Sequence, residues 1–210
     1  MPVTLGELVG GGRAAVLTME LQRGVVGDLS SFPELAAAAQ EVGVVVNTAR
    51  LLDAARAAGV PVVHCTAGFR PDRRGSPPNA PLIAAMLRRP EHLVDGTPAV
   101  ELVPELGPAP GDLVSHRAHG VSPFVGTSLD PTLRALGVST VVATGVSLNL
   151  GIVGLAIEAV DLGYRVVVVR DAVCGVPAEY ADALVRHTLA LVAMTATTDD
   201  VRVALSSSRA

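Results

Sequence analysis

Tryptophan is absent, and three Phe and two Tyr are the only other aromatics in 210 residues. Nucleobases stack on aromatic side chains set along a basic groove. Here no aromatic interleaves with a basic stretch, which removes that mode of binding. Charge points the same way. Sixteen basic residues stand against twenty acidic ones, for a net charge of −4 and a pI near 5.7, so neither nucleic acid nor an acidic membrane is an expected partner. Cysteine is scarce too: Cys65 and Cys174 match no disulfide framework and no zinc-ligand spacing. No apolar run approaches the roughly 18 residues that cross a bilayer. The opening Met1 to Glu7 lacks a basic region followed by an apolar one, so no secretory leader is expected and the chain reads as cytoplasmic. With no H-x-x-x-H, no Walker A loop and no G-x-G-x-x-G, neither a metal nor any cofactor is expected.

What is present is aliphatic. Half the residues are hydrophobic and only 17% are charged, the composition of a folded chain. Short Val-rich runs alternate with longer Ala/Leu-rich ones. The pattern predicts strands at 14–19, 60–65, 113–116, 138–144, 165–169 and 194–197. Helices are predicted at 34–58, 81–89, 128–136, 148–162 and 178–193, with a last helical turn from Thr198 before a fraying Ser-rich tail. Strands apolar on both sides that alternate with helices imply a mainly parallel sheet covered on both faces. The expectation is one α/β domain over 1–210, a three-layer α/β/α arrangement on a six-stranded sheet.

Ligands in such sheets bind beyond the carboxyl ends of the strands, near a topological switch point. Glu20 closes the first strand in Leu17-Thr18-Met19-Glu20-Leu21-Gln22. A carboxylate in a narrow crevice loses water and becomes useful for proton transfer; the bland alternative is a solvated loop acid. His116, Arg117 and His119 lie within four residues at the end of the third strand. One of them facing the crevice would stabilise an anion or partner Glu20, unless all three merely cap loops and pair with surface acids. Thr144 to Gly151 joins the fourth strand to a helix and turns backbone N–H groups toward the crevice, although turns with two glycines also serve structure alone. Cys65 and Cys174 fall near strand ends, where a thiolate would act, but free cysteine is among the most often buried residues. His64, next to Cys65 on the strand, points to the opposite face.

Ser122-Pro123-Phe124-Val125-Gly126-Thr127-Ser128-Leu129-Asp130 is similar to an S-x-F-x-G-T-x-L motif. The similarity continues through Leu133-Arg134, Gly145-Val146, Glu158-Ala159-Val160, Gly163-Tyr164 and Asp171-Ala172. On these residues the chain resembles the isochorismatase-like hydrolase superfamily over roughly 12–200, with its Rossmann-like topology. Amidases of that superfamily use an Asp, a Lys and a nucleophilic Cys, with an oxyanion hole at a cis peptide after the Gly-Val pair. The resemblance therefore implies a cis bond at Val146–Ser147. It also shows three departures. Glu20 stands for the Asp. Arg117 stands for the Lys when aligned from the strand, or Ala118 when counted back from Phe124. Gly151 stands for the Cys. True isochorismatases also resemble this pattern with Gly at that place, and protonate a vinyl ether with the Asp.

The combined reading assigns catalysis to Glu20, Arg117 and Gly151, and substrate contacts to Gln22, His116, His119, Phe124, Ser147 and Asn149. Arg117 or a neighbouring His would hold an anionic substrate group. The function implied is hydrolysis of a small molecule at a vinyl-ether or C–N bond, by acid–base chemistry without a thiol. The alternative is an inactive relative that binds. The resemblance implies a homodimer or homotetramer, and the segment 66–111 is expected to wall much of the pocket.

Overall fold

The computed structural model describes residues 3–207. Six strands form one sheet: β1 (Ala14–Met19), β2 (Val62–Ala67), β3 (Leu113–Arg117), β4 (Thr140–Gly145), β5 (Arg165–Val173) and β6 (Met194–Ala196). Their order is β3-β2-β1-β4-β5-β6 and every pairing is parallel. The order reverses between β1 and β4, which makes the carboxyl ends of those two strands the switch point where such sheets open a crevice.

Side chains of a strand alternate between faces, and β1 shows both faces in use. Ala14 and Val16 enter one buried cluster with Leu51, Leu52, Val201 and Leu205. Ala15, Leu17 and Met19 enter a second with Leu129, Leu133, Leu155 and Ala159. The first face is covered by α1 (Leu5–Val9), α2 (Pro33–Val42), α3 (Val44–Ala57) and α8 (Thr198–Ser207), the second by α5 (Leu129–Ala135), α6 (Val153–Asp161) and α7 (Ala178–His187). A short α4 (Pro81–Leu87) lies in the long β2–β3 connection. No helix among the described residues is long and apolar enough to cross a membrane.

The six strands fall where the Val-rich runs predict them, while several helices differ. The helix expected over 34–58 breaks at Gly43, whose φ of +77° is left-handed and ends one helix as it starts the next. The helix expected over 148–162 opens with a π-type turn, Leu148–Ile152, before α6. The one expected over 178–193 stops at His187 and gives way to a 3₁₀ turn, Leu189–Leu191. The last turn extends to a full helix ending at Ser207, and residues 208–210 of the Ser-rich tail lie outside the described residues. The unforeseen α1 carries a capping box, Thr4 with Glu7, that was legible in the sequence.

One buried polar node ties the first face together. Asp112, in the turn before β3, accepts from Arg56 Nε and Nη2 of α3 at 3.2 and 2.7 Å and from the Ala109 N–H at 2.9 Å. His64 Nε2 of β2 lies 3.1 Å from the same carboxylate, and His64 Nδ1 lies 2.8 Å from Thr18 Oγ1 of β1. Burial pushes Asp112 up, but the Arg56, Ala109 and His64 hydrogen bonds outweigh it and hold the carboxyl below its usual range. Removing one partner of a buried charge pair strands the other, at a cost of about 3–5 kcal/mol. Asp112→Ala is expected to lower unfolding free energy by about that amount in urea titration; a loss under about 1 kcal/mol would show the node to be ornamental.

Candidate active site

The site is built on the junction of β1 and β4. Gly145 closes β4 with φ +103°, and a Cβ there would collide with the Met19 backbone, 2.7 Å from its N, so only glycine allows the two strand ends this close. The Val146 N–H donates to Met19 O at 2.9 Å, and the Val146–Ser147 peptide is cis, as the resemblance implied. Glu20 follows β1 with φ +51°, a left-handed conformation uncommon outside glycine, and its N–H donates to Cys65 O at 2.9 Å. That backbone twist turns the Glu20 side chain out of the strand's alternation.

Arg117 ends β3, two strands away, and its Nη2 makes an ion pair with Glu20 Oε1. The side chains are 5% and 15% exposed, so the pair is nearly desolvated. Arg117 Nε makes a long contact, 3.4 Å, with Gly120 O, while Nη1 is buried with no hydrogen-bond partner among the described residues. Glu20 Oε2 has no protein partner among them either. The pair therefore leaves one buried guanidinium nitrogen unpaired.

Glu20, Arg117 and Gly151 line one cavity of about 470 Å³, together with Ser147, Asn149 and Leu150. Its outer wall comes from Val25, from Ser31 to Leu35, and from Leu82, Ile83, Met86 and Arg89 in and after α4. Asn149 spends its amide on a clamp, donating to Val176 O at 2.7 Å and accepting from Val176 N at 3.2 Å. Of the turn's amides, Leu148 N–H is taken by Cys174 O, and Leu150 and Ile152 N–H by Ser147 O. The Ser147 N–H has no acceptor among the described residues.

Four of the nine expected site residues do not line this cavity. Gln22 is buried and bridges Ala67 N, Ala67 O and Val100 O, which makes it a brace between loops. His116 sits 3.0 Å from Thr66 Oγ1 and 3.3 Å from Asp95 Oδ1. His119 lies against Gly126, where an added Cβ would come within 2.9 Å of Nε2. Phe124 is buried and stacks on Tyr164 at 6.1 Å. Conversely, the wall at 25–35 was not anticipated. Leu82, Ile83 and Met86 do fall within the expected 66–111 wall, and their spacing on one helical face was a readable signal.

Cys65 and Cys174 are buried, and burial pushes both thiols up to about 12. For Cys65 the nearby Arg117 pulls the other way without reversing the effect. Neither lines the cavity.

The segment 31–33 is held against the loop after α4 by His92. His92 Nδ1 lies 2.6 Å from Ser31 Oγ, its ring meets Phe32 edge-on at 5.2 Å, and Arg89 lies over the Phe32 ring. Burial, with Arg89 and Arg73 adding to it, pushes the imidazole down to about 4.

These features define a class: a three-layer α/β protein with a small-molecule cavity at the switch point of a parallel sheet, floored by a carboxylate–guanidinium pair. Residues 14–200 match the isochorismatase domain family. Ureidoacrylate amidohydrolase RutB of Agrobacterium fabrum is 35% identical over 141 residues, which cover 62% of this chain and 61% of that protein, so the match spans about three fifths of each. An isochorismatase family protein from Burkholderia thailandensis has a similar structure, with a TM-score of 0.77 at 29% identity over 93% of this chain and 97% of that one. The N-carbamoylsarcosine amidase of Thermoplasma acidophilum gives a TM-score of 0.70 at 26% identity, over 89% and 97%. The chain belongs to the isochorismatase family.

Two outcomes are expected. Titration of the native protein with an aromatic disulfide reagent should find no fast thiol, and two per chain only after unfolding; a rapid native thiol would contradict the burial of both cysteines. His92 is depressed in the fold, so its contribution is complete above the unfolded value of about 6.5 and is lost as pH falls through the folded value of about 4. Thermal stability should therefore decline over that window, and His92→Gln should flatten part of the decline; an equally steep variant would refute the assignment.

Proposed function

We propose that this isochorismatase-family protein is a hydrolase of C–N bonds in small molecules, with Glu20 moving the proton and no covalent thiol step. The observation that carries the reading is Glu20 on the floor of the cavity, fixed through Oε1 by Arg117 and open at Oε2. In the ion pair Glu20 is a carboxylate, a proton acceptor first. A water positioned at Oε2 gives its proton to Glu20 while its oxygen bonds to the substrate's carbonyl carbon. The free Ser147 N–H faces the oxygen that gains negative charge. Glu20 then hands the proton to the leaving nitrogen as the C–N bond breaks, releasing acid and amine.

Three further points support a route without cysteine. Gly151, at the place the family resemblance gives to the nucleophile, brings no side chain into the cavity it lines. The two cysteines present are buried with raised thiols. The chain also contains no lysine, all sixteen of its basic residues being arginine, so Arg117 has no lysine to share the site with. Arginine does not give up its proton, and here it orients and neutralises Glu20 rather than shuttling protons or holding a substrate anion. The names of the two relatives, an amidohydrolase and an amidase, agree with C–N chemistry over vinyl-ether chemistry.

The test is turnover of amide, N-carbamoyl and vinyl-ether panels by wild type and Glu20→Gln. Glu20→Gln keeps the shape and should reduce kcat about 10²–10⁴-fold, the usual contribution of a general acid–base group, while thiol alkylation changes little. Unchanged turnover in Glu20→Gln refutes the mechanism, and no turnover on any panel favours a binding protein that keeps the fold.

A further inference from the structure

A helix on the surface of an α/β protein turns an apolar stripe inward and a polar face to water. α3 and α7 obey this, with Arg50 and Asp53 exposed on one and Glu179, Asp182 and Arg186 on the other. α6 and the turn that opens it do not. From Leu148 to Val160 the only charged residue is Glu158, and Ser122 Oγ donates to that carboxylate. Leu155, Ala156 and Ala159 are fully buried in the second core cluster. Leu150, Ile157 and Val160, on the outer side, are 46%, 43% and 39% exposed. A helix apolar on both sides is one whose outer side is also meant to be covered.

Three features make the cover another copy of the same helix. The first is spacing. Leu150 lies four residues before Gly154 and Ile157 three after it, so an antiparallel copy crossing at Gly154 sets each Leu150 against the partner's Ile157. A Cβ on Gly154 would meet nothing within 4 Å, so no packing within the chain calls for a glycine that weakens the helix. A close crossing of two backbones does call for it. The second is charge. Asp161 is exposed at the C-terminal end of α6, where the helix dipole disfavours an acid. The antiparallel copy brings its N-terminal end, which favours one, to that place. The third is area. A stable dimer buries about 800 Å² of each partner, more than one helix supplies. The flanks of α6 extend the face: the Ser122 bond ties down the loop that carries Val125, and Arg134 Nη2 of α5 donates to Leu162 O at 2.6 Å. Val125, Leu136 and Leu162 are all exposed.

We infer that a second copy of this chain docks on the outer side of α6, antiparallel about a two-fold axis at Gly154. Leu150 belongs both to that face and to the lining of the cavity, so the partner's Ile157 becomes part of the cavity's rim. Each cavity is finished by the other chain. The inference concerns a face and not a reaction, so it stands or falls apart from the hydrolase reading.

The test joins light scattering at micromolar concentration to disulfide trapping. Wild type should be a dimer, or a tetramer built of such dimers. Ile157→Asp should weaken the α6 contact at least about tenfold, as loss of an apolar residue at an interface centre does, and halve the assembly. Gly154→Cys should form an interchain disulfide on mild oxidation, because the axis sets that position against its own copy. Tyr180→Cys, exposed on α7, should not, and the two native cysteines are buried. Leu150→Cys should react slowly with maleimide alone and rapidly when combined with Ile157→Asp. If Ile157→Asp does not fold, Gly154→Cys still decides, since its Cβ displaces nothing within the chain. The inference is overturned by a monomeric wild type, by an assembly that Ile157→Asp leaves intact, or by Gly154→Cys crosslinking no better than Tyr180→Cys.

Discussion

The buried pairing of Glu20 with Arg117 is the interaction on which the site depends. It spans three neighbouring strands, from the end of β1 across β2 to the end of β3. A single carboxylate in so dry a place would be costly, and so would a single guanidinium; together they are tolerated and hold each other still. The backbone collaborates. Glu20 takes a left-handed turn pinned to Cys65, and Gly145 lets β4 approach until Val146 reaches Met19. Carboxylate, guanidinium and the Ser147 amide thus converge from three separate strand ends.

The two faces of the sheet divide the work. One face contains the Asp112 node, a fully committed polar system in which the carboxylate oxygens, the His64 nitrogens and the Thr18 hydroxyl all find partners. The cavity floor is the opposite case, a polar pair in which one buried donor, Arg117 Nη1, is left without a partner. Satisfied networks hold a fold in one arrangement, and unsatisfied buried groups are found where something else is meant to complete them.

The strands were legible because Val-rich runs bounded by turn residues have few other folded uses, and their alternation with helices fixed the parallel sheet. The cavity residues at strand ends followed from the same geometry. What could not be read was the direction of side chains after the strand stops. Gln22 and Phe124 lie close in sequence to the site, yet one braces loops and the other packs on Tyr164, because the turn and not the strand's alternation aims them. Gly43 splits a continuous helical pattern through one left-handed residue, which an Ala/Val-rich window does not reveal. The wall at 25–35 belongs to no regular periodic element until Pro33, so it gave no pattern to recognise.

Arg117 sits on β3, and β3 is the edge of the sheet, bonded to β2 alone. A border strand opens more readily than an interior one, since half its backbone groups face solvent or side chains instead of a neighbour. The guanidinium that neutralises Glu20 is thus carried by the margin of the molecule, while the carboxylate is carried by its centre. Fraying of β3 would leave the acid in place and withdraw its counter-charge. The charge balance of the cavity floor is thus shared between a central strand and a peripheral one, and a contact that zips up that margin would hold the pair together without touching it.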